Sequence, residues 1–195
     1  MIINAILFAL SGYFMKTSDD LMDEKDNLIL AVISGILCVI CTVYLSVNCV
    51  DAACIFLSIL IGTALANKVD SLNHIISAVL FILILILIGF PHLSWPCLFV
   101  CILAMYFDEK ANDFVDEKEE KGFNLTFVHK LLKYRYVAKI TVLILSVLGL
   151  IHVFYPNLFF GIELYFEPVT IIYFYLFDLG YEFSNKLNNC LNNVF

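Results

Sequence analysis

The sequence predicts an all-α fold, a polytopic transmembrane bundle of about seven helices, on three observations. The 195 residues are 62% hydrophobic and only 15% charged, with a mean hydropathy of +0.94; a soluble domain is roughly 45–50% apolar and about 25% charged. The apolar residues come in long runs that the few Gly and Pro residues seldom break. Barrel strands would alternate over about ten residues, and none of these runs does. Finally, all 11 Lys and Arg residues fall in connections that would share one side of such a bundle.

Taken in order, the runs are 2–15, 28–47, 52–67, 74–90, 94–107, 137–155 and 158–178. A bilayer span needs about 20 apolar residues, with a lower limit near 17. By that standard the first, third and fifth runs are short. They read as near-vertical helices, or as helices that stop below the membrane surface with polar ends partly sunk in it. The first run ends on KTSDDLMDEKDN. The fifth ends on FDEKANDFVDEKEE, which opens a charged cytoplasmic loop expected over 108–136. Glu163, Glu167 and Pro168 interrupt the seventh run, which reads as one span or as a re-entrant or interfacial piece followed by a span. The whole of 1–195 is read as a single integral membrane domain.

Orientation follows from the basic residues. Lys16, Lys25, Lys68, Lys110, Lys118, Lys121, Lys130, Lys133, Arg135, Lys139 and Lys186 all lie where the odd-numbered runs end. The opposite connections, SVNCVD, GFPHLSW and YPNLFFGIELYFEP, contain none. The positive-inside rule then puts the N-terminus outside and the C-terminus in the cytoplasm of a cell-membrane protein. No cleavable signal is expected, because MIINAILFAL lacks a basic n-region and no A-x-A-like site follows it. Of the 18 acidic residues, Asp51, Glu163 and Glu167 fall on the outer side. None sits mid-span, which argues against ion-coupled transport. With a net charge of −7, no nucleic-acid partner is expected. Five of the 7 cysteines sit inside apolar runs as small hydrophobes. Cys97 and Cys101 have no His or carboxylate beside them and are not read as a metal site. Cys49 and Cys54 flank a turn where they could pair on an oxidising side.

The acidic stretches carry the candidate chemistry. On a helix Asp19 and Asp23 are neighbours at i,i+4, and Asp20 and Asp23 at i,i+3, so DDLMD aims three carboxylates at one patch. Asp113, Asp116 and Glu120 likewise share a face. Like charges packed this way are reasonable if divalent cations share the oxygens. Mg²⁺ takes one or two carboxylates together with phosphate oxygens and water. The tract EKEEKG after Asp116 reads as a solvated face.

The stretches DDLMDEKDN at Asp19–Asn27 and NDFVDEKEE at Asn112–Glu120 resemble the two aspartate-rich motifs of the UbiA superfamily of intramembrane prenyltransferases. The first motif there has the form N/D-D-x-x-D-x-x-x-D, and the two motifs follow spans four apart, as the first and fifth runs are here. The final position of the first motif is Asn27, and the second departs from the usual D-x-x-x-D spacing. The resemblance implies an all-helical bundle that binds an isoprenyl diphosphate through Mg²⁺ on Asp19, Asp20, Asp23, Asn112, Asp113 and Asp116, and transfers the prenyl group to a lipophilic acceptor.

All four odd runs end in an Asp with a basic or amide group, which reads as a weak internal repeat of helical hairpins. Lys16, Asn67, Lys68, Asp70, Lys110, Arg135 and Asp178 are therefore candidate substrate-binding residues, the cations among them meeting phosphate oxygens. Arg135, in KLLKYRYVAK, also fits a lipid-headgroup contact. His74, His92, His129 and His152 lack ligand spacing and read as interfacial or packing residues. Two alternatives stand beside the enzyme: a non-enzymatic multi-pass membrane subunit, and a cation-handling channel or carrier. Membrane lipids are partners on every reading.

Overall fold

The computed structural model describes residues 1–124 and 126–192, without the side chains of Lys130 and of residues 188–192; the Lys130 ammonium and the Cys190 thiol lie outside the described residues. Among those residues the fold is all-α. Its helices are α1 (Ile2–Asp23), α2 (Leu28–Asn48), α3 (Val50–Leu65), α4 (Leu72–Ile88), α5 (Trp95–Glu120), α6 (Phe127–Lys133), α7 (Tyr136–Phe154) and α8 (Thr170–Asn192). A single 3₁₀ turn follows α7 at Pro156–Phe159.

Hydropathy marks where lipid-soluble side chains stop, which is not where a helix stops. α1 and α5 run on through the acidic stretches because Lys, Glu, Met and Leu are good helix formers whatever surrounds them. Most of 108–136, expected as a loop, is accordingly helix: α5 continues to Glu120, and α6 follows. The seventh run divides, its first part lying outside regular helix around Gly161 and Pro168. α8 starts only at Thr170, which places Asp178 inside the helix and not at its end. Of the described helices, α2 and α7 are long and apolar enough to cross a membrane; α3 and α4 are apolar but shorter. α1, α5 and α8 each carry their charged residues within the same helix.

The chain gathers into two compact units: Met1–Ala53, Val69–His92 and Ile172–Phe195 form the first, and Cys54–Lys68 with Leu93–Ile171 form the second. In the first unit, α1 and α2 lie antiparallel along a seam of small side chains. There the Ser18 hydroxyl donates to Ala31 O (2.9 Å), Ser34 to Phe14 O (2.9 Å) and the Cys38 thiol to Ser11 O (3.4 Å). Each such bond contributes about 1 kcal/mol and lets the backbones approach closely. α1 and α8 cross in parallel at reciprocal glycines. A Cβ on Gly12 would strike the Phe177 carbonyl, and one on Gly180 would strike the Ala9 carbonyl.

The second unit repeats that crossing. Gly62 of α3 meets Ile102 O, the Met105 side chain and Tyr106 N of α5, again with the helices parallel. The register matches as well. Asp20 stands as far along α1 from Gly12 as Asp113 does along α5 from Met105. Elsewhere in this unit the extended stretch after the 3₁₀ turn lies against α5 and α7. Glu163 O accepts the Ser94 hydroxyl and the Cys97 thiol, Phe166 N donates to Leu145 O (3.0 Å), and the Phe166 carbonyl fills the space a Gly149 side chain would need. Cys49 and Cys54, the pair considered for a disulfide, are both thiols.

Candidate functional site

In the first unit the end of α1 meets the start of α4. Residues 19 and 20 are adjacent on a helix and so point about 100° apart. The three carboxylates of DDLMD consequently do not share one patch. Asp20 turns inward, 3% exposed, and pairs with Lys16 one turn earlier at 2.7 Å. Asp19 is half-buried and its Oδ1 meets His74 Nε2 at 2.6 Å. Asp23, on the last turn, is exposed. The Lys16 ammonium also stands over the Tyr181 ring of α8 (5.6 Å). Burial opposes its charge, but Tyr181, Asp20 and Asp19 together outweigh that and hold its pKa above the usual lysine value.

Asn73, next to His74, is wholly buried and binds the same turn of α1. Its Nδ2 donates to Ser18 O (3.3 Å) and to Ser18 Oγ (3.0 Å). A carbonyl can only accept, so the amide orientation is fixed, and Asn73 Oδ1 is a buried acceptor without a partner among the described residues. Ser18, Asn73 and His74 have no ligand spacing to one another, and α1 and α4 come together only through the fold. Asp178 lies half-buried on α8 in this unit, and Asp70 is exposed just before α4.

The second unit treats its motif differently. Lys68 pairs with Asp113, the Asn112 amide donates to Asp116 Oδ2 (3.0 Å), and Lys133 lies 3.9 Å from Asp116. Glu120, at the end of the same helix, is exposed. Lys110 donates to Ala66 O (3.1 Å), one of the carbonyls left open where α3 ends. Asn67 ends that helix. It adopts the left-handed conformation (φ 62°), and Lys68 N returns to Thr63 O at 3.0 Å. Asn and Gly are the residues that tolerate this cap.

Asn67→Val is therefore expected to cost about 1–2 kcal/mol in thermal unfolding, with Asn67→Gly close to neutral. Weaker ligand binding by a fully stable Asn67→Gly protein would establish its expected role at a substrate.

Two further acids had escaped notice. Asp108 is 2% exposed, and its oxygens accept Val137 N (3.0 Å) and Ala138 N (2.6 Å), the open amides at the start of α7. Burial pushes this carboxyl above its ordinary pKa, while the two amides and Arg135 pull it back. Buried Glu109 takes the Arg135 guanidinium at 3.1 Å, and Arg135 itself is left-handed (φ 53°) where the chain turns into α7. Arg135 is thus engaged at a helix junction. Among the described residues no three His, Cys, Asp or Glu side chains converge as a metal group. No family model matches the chain, and no curated protein or solved structure does so.

Proposed function

We propose that the chain is a small multi-pass membrane prenyltransferase. Its charged helix ends face the cytoplasm and its N-terminus lies outside. It binds an isoprenyl diphosphate through Mg²⁺ and passes the prenyl group to a lipophilic acceptor. The observation that carries this reading is the buried, unpartnered Asn73 Oδ1 on the turn of α4 that also supplies His74 to Asp19. A buried acceptor without a partner costs about 1–3 kcal/mol, and a bound group that supplies its partner would offset this. The carboxylate and amide oxygens near the end of α1 are hard donors, which suits Mg²⁺. That ion needs only one or two carboxylates when phosphate and water complete its shell, so a three-residue cluster is not required.

In the first unit Asp19 and Asp20, with Asn73, would hold the ion, and in the second Asp113 and Asp116. Mg²⁺ would supply charge neutralisation of the departing diphosphate. Lys16 and Lys68 now neutralise Asp20 and Asp113. With those carboxylates occupied by a divalent ion, the two ammonium groups become available to phosphate oxygens. The expected result is Mg²⁺-dependent binding of a radiolabelled prenyl diphosphate to purified protein. Chelation should abolish it, and Asp20→Asn, Asp113→Asn and Asn73→Ala should each weaken it about tenfold or more.

A specific observation favours a second reading, a non-enzymatic membrane subunit. Asp19, Asp20, Asp113 and Asp116 each already have a cationic or amide partner within their own unit. Donor binding that ignores chelation, tolerance of all three substitutions and co-purification with a partner protein would establish that role instead.

A further inference from the structure

The segment between α5 and α7 presents a surface that the proposed reaction does not use. α6 has only 7 residues, too few for a helix to persist without packing. It is held from one side: His129 lies 6.3 Å from the Phe114 ring of α5 and meets the Lys118 ammonium at 3.3 Å. On and beside it, four bulky side chains remain exposed. Phe123 is 63% exposed, Phe127 75%, Val128 60% and Tyr134 58%. Single exposed apolar residues need no explanation, but four bulky ones around one short helix form a patch that calls for an occupant. Within 123–139 there are four basic residues, Lys130, Lys133, Arg135 and Lys139, and no acidic one. The segment then passes directly into α7, which is long and apolar enough to cross a membrane.

We propose that Phe123, Phe127, Val128 and Tyr134 form a membrane-surface anchor seated in the headgroup–acyl boundary of an anionic bilayer. The proposal rests on the membrane reading above, but not on the chemistry assigned there. Three features select lipid over protein as the occupant. In sequence the exposed apolar residues are interspersed with Lys130, Lys133, Arg135 and Lys139, which is the composition of an interfacial segment. The aromatics Phe and Tyr suit the headgroup level, where a ring meets lipid and its edge meets water. The patch also continues into the lipid-exposed side of α7, where Ile140, Leu143 and Ile144 stay uncovered. Docked this way, α6 lies along the surface, and α7 leaves the turn at left-handed Arg135 to enter the bilayer. The Arg135–Glu109 and Lys133–Glu119 pairs tie the anchor to α5.

The protein has one tryptophan, Trp95, so fluorescence can be moved to chosen positions. In a full-length Trp95→Phe background, Phe127→Trp and, separately, Leu150→Trp are reconstituted in phosphatidylcholine–phosphatidylglycerol vesicles. The lipids are brominated either near the headgroup or deep in the acyl chain. Both positions are exposed, so neither substitution disturbs the core. The expected result is a blue-shifted Phe127→Trp emission that shallow bromines quench about twofold and deep bromines hardly touch. Leu150→Trp, on α7, should respond to acyl-chain bromines. Water-like emission from Phe127→Trp with no quenching overturns the anchor, as does blue emission without quenching, which identifies a protein cover such as a second copy. Either outcome with Leu150→Trp still quenched leaves the membrane reading standing. Loss of quenching at both positions removes the two together.

Discussion

Replacing Gly12 by alanine is expected to destabilise the protein by about 3 kcal/mol, the upper end for forcing atoms into a packed core. For a chain of this length that corresponds to roughly a 10 °C lower melting temperature. The size follows from what a new Cβ would meet. At Gly12 it is the Phe177 carbonyl, with Tyr181 N at 3.1 Å. Both are backbone, so neither can rotate away, and α1 and α8 must separate as bodies. Gly180→Ala meets the Ala9 carbonyl on the reverse side of the same crossing and should do the same. Gly35 provides the control. Its Cβ would meet the Ser77 hydroxyl, the end of a side chain that can turn aside. Gly35→Ala should therefore cost less than about 1 kcal/mol. Equal melting temperatures for Gly12→Ala and Gly35→Ala would mean that the parallel crossing is not the tight contact described.

The helices also show what a sequence makes legible and what it does not. The apolar run 28–47 became α2 (Leu28–Asn48) almost residue for residue, and 137–155 became α7 (Tyr136–Phe154). Between such helices the breaks are local chemistry that can be read directly: Asn27 Oδ1 caps Leu30 N, and Ser94 opens α5. The ends of α1 and α5 were misplaced for a physical reason already visible in DDLMDEK, whose residues leave lipid without leaving the helix. Polarity at the end of a run, as at Asn67 and Lys110, looks the same whether it caps a helix or holds a substrate. The backbone angle of Asn67, and the carbonyl that Lys110 reaches, show the helix end that both residues close. Helical spacing also overstated the acidic cluster. It correctly put Asp19, Asp20 and Asp23 on one helix, but neighbouring α4 and Lys16 decide which of them is buried, and those contacts join residues far apart in the chain.

The largest test of what the acidic residues are for is a double substitution at Lys16 and Asp20. Lys16→Met alone leaves the Asp20 carboxylate, 3% exposed, without its ammonium partner. Removing one partner of a buried ion pair costs about 3–5 kcal/mol. Because Lys16 is half-buried and water can reach part of the site, about 3 kcal/mol is expected. Asp20→Asn alone should be milder, since a half-buried lysine can turn its ammonium toward solvent. The double variant Lys16→Met, Asp20→Asn removes both charges and keeps both volumes, and buried ion pairs replaced this way are often no less stable than the original. It should regain most of the stability that Lys16→Met loses, measured by thermal unfolding in the same detergent. That recovery separates two roles which single substitutions confuse. If the pair exists to hold α1, the double variant is both stable and fully competent. If Asp20 exists to carry Mg²⁺, the double variant is stable yet fails to bind a prenyl diphosphate, because an amide oxygen cannot supply the negative charge that a carboxylate brings to the ion. A stable double variant that binds the donor as tightly as the parent would end the catalytic reading of the first motif. Failure to recover stability would show instead that Lys16 acts mainly through the Tyr181 ring, where a cation above an aromatic face is worth about 0.5–2 kcal/mol.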